Sequence, residues 1–378
     1  MRAAVLPRPG RPVVVEDLEL DPPGPGEIRV RMLASGICHS DLHVRDDEWD
    51  RPGPIVMGHE GAGLVDAIGP AVDGAATGLR PGRLVALSWM VPCGTCRSCR
   101  AGRSWACPDS PSFGHGRDPA GRTRAHRADG SDVLAYLSIG TMAEAQVVPA
   151  VAAIPMPEGT PAEVAALIGC CVATGVGAVL KTAEVPAGAS VAVIGLGGVG
   201  LSVVMGARLA GAGRIMAVDR VRAKLDLAVE LGATQGILAD PDPETTANAI
   251  RDATDGGPDF AFEAIGRPAT VELAIASLPP GGTAILVGMT PQGERAGFDV
   301  YRFVDGGRRI LGSNYGSSVA PVDFPRYAEL HLAGQLPIER LIDRRIDLDG
   351  VEAAFDRLRR GEGLRSVIAF RGAQAGRP

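Results

Sequence analysis

The sequence predicts an α/β protein in two parts: a β-rich region over about the first 160 residues, and a doubly wound parallel sheet from about residue 165 onward. In the first part, alternation of apolar and polar residues predicts short strands, for instance over Ile28–Met32. In the second part, candidate strands and helices follow one another in turn, which is typical of a parallel sheet covered by helices. A glycine-rich turn lies between one of these strands and the helix that follows it.

The elements of the second part can be placed in order along the chain. Ser190–Ile194 is a candidate buried strand, and the helix after the glycine-rich turn ends near Gly211. The next strand, Ile215–Val218, ends at Asp219. The elements expected after it are a helix over Arg222–Leu231 and strands at Phe260–Phe262 and Thr283–Val287. After about residue 312 the pattern becomes mixed, with helices near Phe324–Ala333 and Val351–Arg360 and a last strand at Ser366–Phe370.

Length, composition and charge exclude several classes of protein. The 378 residues, 46% hydrophobic and 22% charged, are enough for two globular domains. The net charge is −6 without a block of like charge, so we expect no nucleic-acid partner. The uncharged runs 164–180 and 189–207 contain several glycines and lack anchoring residues at their ends. We interpret both as buried strand–turn–helix segments, and we expect a cytoplasmic protein without a membrane partner.

The turn Gly195–Gly200 has the pattern G-x-G-x-x-G of a dinucleotide-binding turn. Glycines at these positions let the backbone approach a pyrophosphate at the N-terminus of the next helix. Asp219, nineteen positions after Gly200, would accept hydrogen bonds from the adenosine ribose and repel a 2′-phosphate. This favours NAD over NADP, although Arg220 and Arg222 weigh in the other direction. The alternative is a turn that only packs strand against helix.

One polar loop of fifteen residues contains four of the seven cysteines: Cys93, Cys96, Cys99 and Cys107. In a reducing compartment such a cluster indicates a metal site rather than a disulfide framework. Four thiolates can complete a tetrahedron around a structural zinc ion. Iron–sulfur ligation and free thiols are the alternatives, although the last interval is too long for the usual bacterial iron–sulfur spacing.

Cys38, His59 and Cys170 form a second candidate metal site. Two thiolates and one imidazole leave a fourth position open for a substrate, as a catalytic zinc requires. Spacing in the sequence cannot show that Cys38 and Cys170 lie close together, so this metal site is a hypothesis. The alternative is that His59 is an ordinary polar histidine and not a metal ligand.

Together these motifs resemble those of the zinc-dependent medium-chain alcohol dehydrogenases, in family order and over nearly the whole chain. The segments that carry the resemblance are Gly36–Asp41, Gly58–Gly63, the four-cysteine loop, Gly169–Cys170, Thr174–Gly175 and Gly195–Gly200. The resemblance implies a GroES-like β-rich catalytic domain at residues 1–170 and 311–378, and an inserted Rossmann NAD-binding domain at 171–310. It also implies two zinc ions per chain, NAD, a small alcohol and its aldehyde as substrates, and a homodimer, because the segment between Cys107 and Thr141 is as long as in dimeric members.

The resemblance also assigns roles to single residues. Cys38, His59 and Cys170 are expected to bind the catalytic zinc. Glu60 is expected beside the metal as an occasional ligand, and Asp41 is expected to orient His59. Ser40 and His43 are expected to pass the proton of the alcohol to solvent. The expected cofactor contacts are His39, Thr174, Gly195, Gly197, Gly198, Val199, Gly200, Asp219, Lys224, Val287 and Arg365. The expected pocket residues are Trp49, Trp89 and Met142, and Cys171 is interpreted as a packed thiol.

We therefore expect an oxidoreductase that transfers a hydride between a medium-sized or aromatic primary alcohol and NAD, and the reverse. A thiol-dependent formaldehyde dehydrogenase is one alternative, which the acidic run Asp46–Glu48 disfavours because such an adduct carries carboxylates. An enzyme that keeps NAD permanently bound and uses an external acceptor is another. The non-enzymatic alternative is a protein whose four-cysteine loop recruits a partner, which the complete second site disfavours.

Overall fold

Both expected parts are present in the computed structural model, which describes residues 1–117 and 121–370. One unit comprises Met1–Cys170 and Val319–Pro378, and the other comprises Cys171–Ser318. The resemblance places the return to the first unit at residue 311, eight residues before Val319. The difference arises because residues 309–312 form a strand at the edge of the second unit's sheet.

The N-terminal section of the first unit is built from short strands. Its strands are β1 (Arg2–Leu6), β2 (Val14–Asp17), β3 (Glu19–Leu20), β4 (Glu27–Gly36), β5 (Ile55–Val56), β6 (Glu60–Ile68), β7 (Leu84–Leu87), β8 (Ala125–His126), β9 (Asp132–Ala135), β10 (Ala145–Pro149) and β11 (Ala153–Pro155). Its helices are α1 (His39–Arg45), α2 (Gly74–Thr77), α3 (Arg97–Arg100) and α4 (Ala162–Leu167). One sheet has the strand order β2-β1-β5-β9-β8-β3.

The second unit is the doubly wound parallel sheet. Its helices are α5 (Ala173–Gly177), α6 (Gly198–Leu209), α7 (Arg222–Leu231), α8 (Pro243–Ala253), α9 (Pro268–Ala276) and α10 (Val300–Asp305). Its strands are β12 (Ser190–Ile194), β13 (Arg214–Asp219), β14 (Gln235–Leu238), β15 (Phe260–Glu263), β16 (Thr283–Leu286) and β17 (Arg309–Gly312). All pair in parallel in the order β14-β13-β12-β15-β16-β17. Successive strands are added on one side of β12 up to β14 and on its other side from β15 onward, and ligands bind at such a switch point in sheets of this kind.

The chain then returns to the first unit with α11 (Ala320–Leu332), β18 (Ile342–Ile346), α12 (Val351–Arg359) and β19 (Arg365–Ala369). The last strand pairs antiparallel with the C-terminal half of β4, which completes a sheet in the order β11-β7-β6-β4-β19-β18. This pairing sets Val367 opposite Gly36, two residues before Cys38. A segment more than 300 residues away in sequence therefore supports one of the candidate metal sites.

Each unit buries its own hydrophobic core. In the first unit, Ile28, Val30 and Met32 on β4 are fully buried while Arg29 and Arg31 between them are not, as the predicted alternation requires. In the second unit, β12 is almost entirely buried, because a parallel strand is covered on both faces.

The two uncharged runs are both buried, as expected. The run 189–207 is a strand, a turn and a helix. The interpretation of the run 164–180 is wrong in form, because Ala162–Thr182 is helical throughout, with two π-helical turns. Its alanines favour a helix over a strand. Among the described residues it is the one helix long and apolar enough to span a membrane, and 83% of its apolar window is buried inside the protein.

Candidate active site and metal sites

The four-cysteine loop brings its sulfur atoms together. All four Sγ atoms of Cys93, Cys96, Cys99 and Cys107 lie within 4.8 Å of one another. The sulfur of Cys96 caps α3 by accepting a hydrogen bond from the Cys99 N–H, and the sulfur of Cys93 accepts one from the Cys96 N–H, both at 3.4 Å. Backbone N–H groups of Thr95 and Cys96 lower the pKa of Cys93 to about 6. The loop thus favours the thiolate at Cys93, whereas burial raises the pKa of Cys99 to about 12 and raises that of Cys107.

The sulfur spacing in this loop fits a tetrahedral metal ion. Cys93 and Cys99 have their sulfurs 4.0 Å apart, and Cys96 and Cys107 have theirs 3.9 Å apart. A disulfide needs about 2.05 Å. Four sulfurs at 2.3 Å from one zinc ion are separated by about 3.8 Å, which matches the observed spacing.

The second site forms where three backbone segments of the first unit meet. Cys38 stands at the start of α1, His59 precedes β6, and Cys170 lies in the π-helical turn Ile168–Val172 after α4. Their ligand atoms and a carboxylate oxygen of Glu60 lie within 4.8 Å of one another. All four residues are buried, with at most 7% of any of them exposed. The structure therefore joins Cys38 to Cys170, which the sequence spacing could not do.

Asp41 orients the imidazole of this site. Its Oδ1 lies 3.0 Å from Nδ1 of His59, and its Oδ2 accepts a hydrogen bond from the Cys38 backbone N–H at 3.1 Å. Because Nδ1 is engaged, Nε2 is the nitrogen left for a metal ion. Burial alone lowers the pKa of His59, but the charges of Asp41 and Cys38 raise it well above its usual value. The expected contact between Asp41 and His59 is therefore present.

The two sulfurs of the second site are paired with each other. A hydrogen bond from Cys170 lowers the pKa of Cys38 well below its usual value, whereas the same bond raises the pKa of Cys170. A divalent cation would compensate the negative charge of both sulfurs as thiolates.

Glu60 is the clearest sign that a cation belongs here. Both of its carboxylate oxygens are buried without a hydrogen-bond partner, and burial raises the pKa of Glu60 to about 7. The guanidinium of Arg365 lies beside this carboxylate, with Nη2 3.4 Å from Glu60 Oε1. A Cβ atom at Gly36 would lie 2.2 Å from Glu60 Oε2, so only glycine leaves room for this carboxylate. Buried carboxylates without hydrogen bonds are rare, and a cation bound beside Glu60 would compensate its charge.

Ser40 and His43, the residues expected to carry a proton, lie on α1. The Oγ atom of Ser40 is 3.9 Å from the sulfur of Cys38. The imidazole of His43 makes a hydrogen bond through Nδ1 to Glu48 and stacks on the ring of Trp49, with centroids 4.6 Å apart. Trp49, expected in the substrate pocket, is 5% exposed.

The glycine-rich turn of the second unit has the expected geometry. It joins the end of β12 to the start of α6, and a Cβ atom at Gly200 would lie 1.7 Å from the Gly195 carbonyl oxygen. Asp219 ends β13, and its carboxylate accepts hydrogen bonds from the backbone N–H groups of Leu196 at 2.8 Å and Val221 at 3.0 Å. The carboxylate is thereby fixed beside the turn that is expected to bind pyrophosphate.

The remaining expected cofactor residues are divided between the units. Thr174 and Val287 are buried in the second unit, and Lys224 is half-buried on α7. His39 is exposed at the first position of α1, and Arg365 is 5% exposed, donating to the Ile37 carbonyl oxygen at 2.8 Å. Their roles toward NAD stay predictions.

The remaining expected pocket residues differ in burial. Trp89 is half-buried, whereas Met142 is fully buried in the core of the first unit. Both pocket assignments also stay predictions. Cys171 is fully buried beside Cys170 in sequence and lies outside both metal clusters.

Tyr136 and His115 belong to this site but were not expected from the sequence. The ring of Tyr136 meets the imidazole of His59 edge to face, with centroids 5.7 Å apart, and stacks on His115 at 6.0 Å. Tyr136 arrives there because β9 pairs in parallel with β5, which sets Ala135 opposite Val56. No local sequence pattern predicts this pairing of β9 with β5.

Comparison with known proteins finds a matching family in each half of the chain. A family described as alcohol dehydrogenase GroES-like domain matches residues 24–158, and one described as zinc-binding dehydrogenase matches residues 198–333. The class-3 alcohol dehydrogenase of Drosophila melanogaster is 34% identical over 375 residues, covering 98% of this chain and 97% of the relative.

Two solved structures share the complete fold. An alcohol dehydrogenase zinc-binding domain protein from Burkholderia ambifaria is 37% identical, with a TM-score of 0.91 and 98% of each chain covered. The benzyl alcohol dehydrogenase of Acinetobacter calcoaceticus is 32% identical, with a TM-score of 0.89, and the match covers 98% of this chain and 99% of that one. The likeness therefore extends over both units.

Proposed function

Because this chain belongs to the zinc-dependent medium-chain alcohol dehydrogenase family, we propose that it oxidises a medium-sized or aromatic primary alcohol with NAD to the aldehyde, and catalyses the reverse reaction. Membership makes it an oxidoreductase of a zinc-binding family with a GroES-like domain and a Rossmann fold. The cofactor NAD, two zinc ions per chain and the class of alcohol are the finer parts of the proposal.

The observation that carries the proposal is the set of two sulfurs and one imidazole nitrogen within 4.8 Å of one another. A zinc ion held by these atoms would act as a Lewis acid that makes the alcohol easier to deprotonate, and NAD would accept the hydride. Cys38, His59 and Cys170 would supply the three ligands that leave one position for the substrate. The carboxylate of Glu60 lies close enough to serve as a replaceable fourth ligand.

The other residues of the site would bind, orient and move a proton. Asp41 holds His59 in the tautomer that presents Nε2. Ser40 is close enough to Cys38 to hydrogen-bond a substrate hydroxyl there, and His43 is the nearby base that can take its proton. Burial of the ligands keeps bulk water from the reacting atoms.

Two observations favour an aromatic substrate. Trp89, expected in the substrate pocket, is half-buried and would provide aromatic surface for a ring-bearing alcohol. A benzyl alcohol dehydrogenase is among the similar structures. Asp219 supports NAD over NADP, because its charge would repel a 2′-phosphate.

The proposal is tested by a panel of alcohols and aldehydes with NAD and NADP, on protein of measured zinc content. We expect turnover of benzyl alcohol with NAD in protein with two zinc ions per chain. The variant Cys38→Ser should lose turnover while keeping the zinc ion of the four-cysteine loop. Turnover of formaldehyde with a low-molecular-weight thiol but of no simple alcohol would contradict the proposed substrate. Nucleotide absorbance that survives gel filtration would contradict an exchangeable NAD.

We further propose a homodimer. β17 is an edge strand, and on its outer side no strand pairs with it in the described residues. Exposed apolar side chains lie on β17 and on the neighbouring α10: Val300, Tyr301 and Val304 are 65%, 77% and 71% exposed, and Leu311 is 36% exposed. Two copies can cover this edge and its apolar side chains by pairing their β17 strands around a two-fold axis.

The compartment proposed is the cytoplasm. Its support is chemical: the seven cysteines form no disulfide, and the four-cysteine loop depends on reduced thiols. Cell fractionation tests this, and recovery of the protein from an oxidising compartment would contradict it.

A further inference from the structure

We propose that Glu48 is a positioning residue for the proton acceptor His43, and that the two side chains work as a dyad. This inference rests on the proposed function, because it assigns a residue to the proton transfer that accompanies alcohol oxidation. Glu48 belongs to an acidic run that has no role in the site as described above.

The turn after α1 brings the two side chains together. Asp47 has a φ of 62°, and the chain folds back so that the Glu48 N–H donates to the His43 carbonyl oxygen at 2.9 Å. The Trp49 N–H donates to the same oxygen at 3.3 Å. The Glu48 carboxylate then meets Nδ1 of His43 in a hydrogen bond. Backbone bonds, rather than chance surface contact, fix this geometry.

The dyad leaves His43 one nitrogen for chemistry. A carboxylate only accepts hydrogen bonds, so its partner Nδ1 carries the hydrogen and Nε2 carries the lone pair. Trp49 covers one face of the ring, and the side chain of His43 is only 12% exposed, whereas that of Glu48 is 42% exposed. The imidazole can therefore neither change tautomer freely nor turn to solvent.

The proton balance is simple. Nε2 of His43 takes one proton that originates from the alcohol hydroxyl, the ring becomes an imidazolium, and the same nitrogen later releases that proton to water. Glu48 is not protonated in the process. While Nδ1–H stays bonded to its carboxylate, Glu48 holds the ring in the tautomer and orientation that present Nε2.

The other charged side chains around His43 have partners of their own. Arg45 forms ion pairs with Asp46 and with Glu352 of α12, and Arg359 of α12 pairs with Asp46. Arg51 lies over the ring of Trp49, 5.9 Å from its centroid. Glu48 is thus the carboxylate bonded to His43. Replacing its neighbour Asp47 with asparagine removes an equal charge, so Asp47→Asn is a matched control.

The experiment compares Glu48→Ala, Glu48→Gln and Asp47→Asn in zinc-loaded protein with NAD and benzyl alcohol. Glutamine keeps an oxygen that can accept from Nδ1, whereas alanine does not. We expect Glu48→Ala to lower kcat/KM for the alcohol about tenfold without changing NADH affinity, measured by fluorescence. Glu48→Gln should recover most of the loss, and Asp47→Asn should stay near wild type.

A second readout does not depend on turnover. The ¹⁵N chemical shifts of the His43 ring, assigned through a His43→Gln variant, report its tautomer in the protein without substrate. We expect the Nδ1–H tautomer in wild type and in Glu48→Gln, and a loss of that preference in Glu48→Ala. If wild type is active and Glu48→Ala matches it in both readouts, the proposed dyad is wrong but the proposed function stands. A wild type that oxidises no alcohol would overturn the proposed function and, with it, the catalytic role of the dyad.

Discussion

The Asp41 carboxylate lies 3.0 Å from the Nδ1 atom of His59, and both side chains are buried. The other oxygen of Asp41 bonds the backbone of Cys38, so one carboxylate fixes two of the three expected ligands of the catalytic zinc. Replacing Asp41 should therefore weaken zinc binding, although Asp41 itself is not a zinc ligand.

We expect Asp41→Ala to weaken zinc binding at the catalytic site by about 10- to 100-fold, because His59 loses the partner that fixes its ring. Competition with a chromogenic chelator measures the affinity of each site. Asp66→Asn, which neutralises an exposed carboxylate paired with Arg29, is the control and should bind zinc as wild type does. Equal zinc affinity in Asp41→Ala and wild type would show that Asp41 does not orient the ligand.

The four-cysteine loop should bind the second zinc independently of the first. Cys96→Ser is expected to reduce the zinc content from two ions to one per chain and to lower the unfolding temperature by roughly 10 °C, since the metal stabilises the folded loop. Cys171→Ser changes a buried cysteine outside both clusters and should keep two ions. The measurement is metal analysis combined with thermal unfolding, and a loss of zinc in Cys171→Ser would contradict the ligand assignment.

Asp219 should set the preference between the two nicotinamide cofactors. In Asp219→Ser the charge that repels a 2′-phosphate is gone, so the ratio of kcat/KM for NADP to that for NAD should rise at least about tenfold. Asp226→Ser removes a charge from the exposed face of α7 and should leave the ratio unchanged. If Asp219→Ser keeps the wild-type ratio, the carboxylate has no part in the choice.

His115 should make stability depend on pH. Burial, with the charges of Arg51 and Arg117, lowers the pKa of His115 to about 4 from the usual 6.5. As pH falls from 6.5 towards 4, the unfolded chain gains this proton before the folded one, and stability is lost. The cost is at most about 2 kcal/mol between pH 7 and 5.

The variant that tests this is His115→Asn, because asparagine tolerates the φ of 52° at this position and its oxygen can accept the Leu137 N–H. Denaturant unfolding at pH 7 and pH 5 should show a smaller loss of stability in His115→Asn than in wild type. Parallel losses in the two proteins would mean that His115 is protonated equally in both states.

The edge strand β17 should form the dimer interface. Leu311→Asp places a charge on that edge and is expected to reduce the mass measured by light scattering to that of one chain, 39.0 kDa. Val229→Asp, at an exposed valine of α7, should remain dimeric. A wild-type monomer, or a dimeric Leu311→Asp, would exclude this interface.

Local sequence patterns predicted most of the fold and the metal residues. The G-x-G-x-x-G turn, the strand that precedes it and the acidic residue that ends the next strand depend on short-range spacing, and the structure has all three. The four cysteines lie on one loop, so their clustering could also be foreseen. Cys38 and Cys170 were joined only through a family resemblance, because they are 132 residues apart in sequence.

What the sequence could not predict depends on long-range pairing. Tyr136 reaches His59 through the parallel pairing of β5 with β9, and Arg365 reaches Glu60 because β19 joins β4. The resemblance places the domain boundary at residue 311, inside β17, whereas the second unit extends to Ser318. Glu48 could have been found from its place five residues after His43, had the turn between them been foreseen.

The most direct test is anomalous diffraction at the zinc edge from crystals of a preparation that oxidises benzyl alcohol. We predict two peaks per chain, one among the four cysteines of the loop and one bonded to Cys38 Sγ, His59 Nε2 and Cys170 Sγ at about 2.0–2.3 Å. A single peak, confined to the four-cysteine loop of protein that is fully active, would contradict a zinc ion as the electrophile of this enzyme.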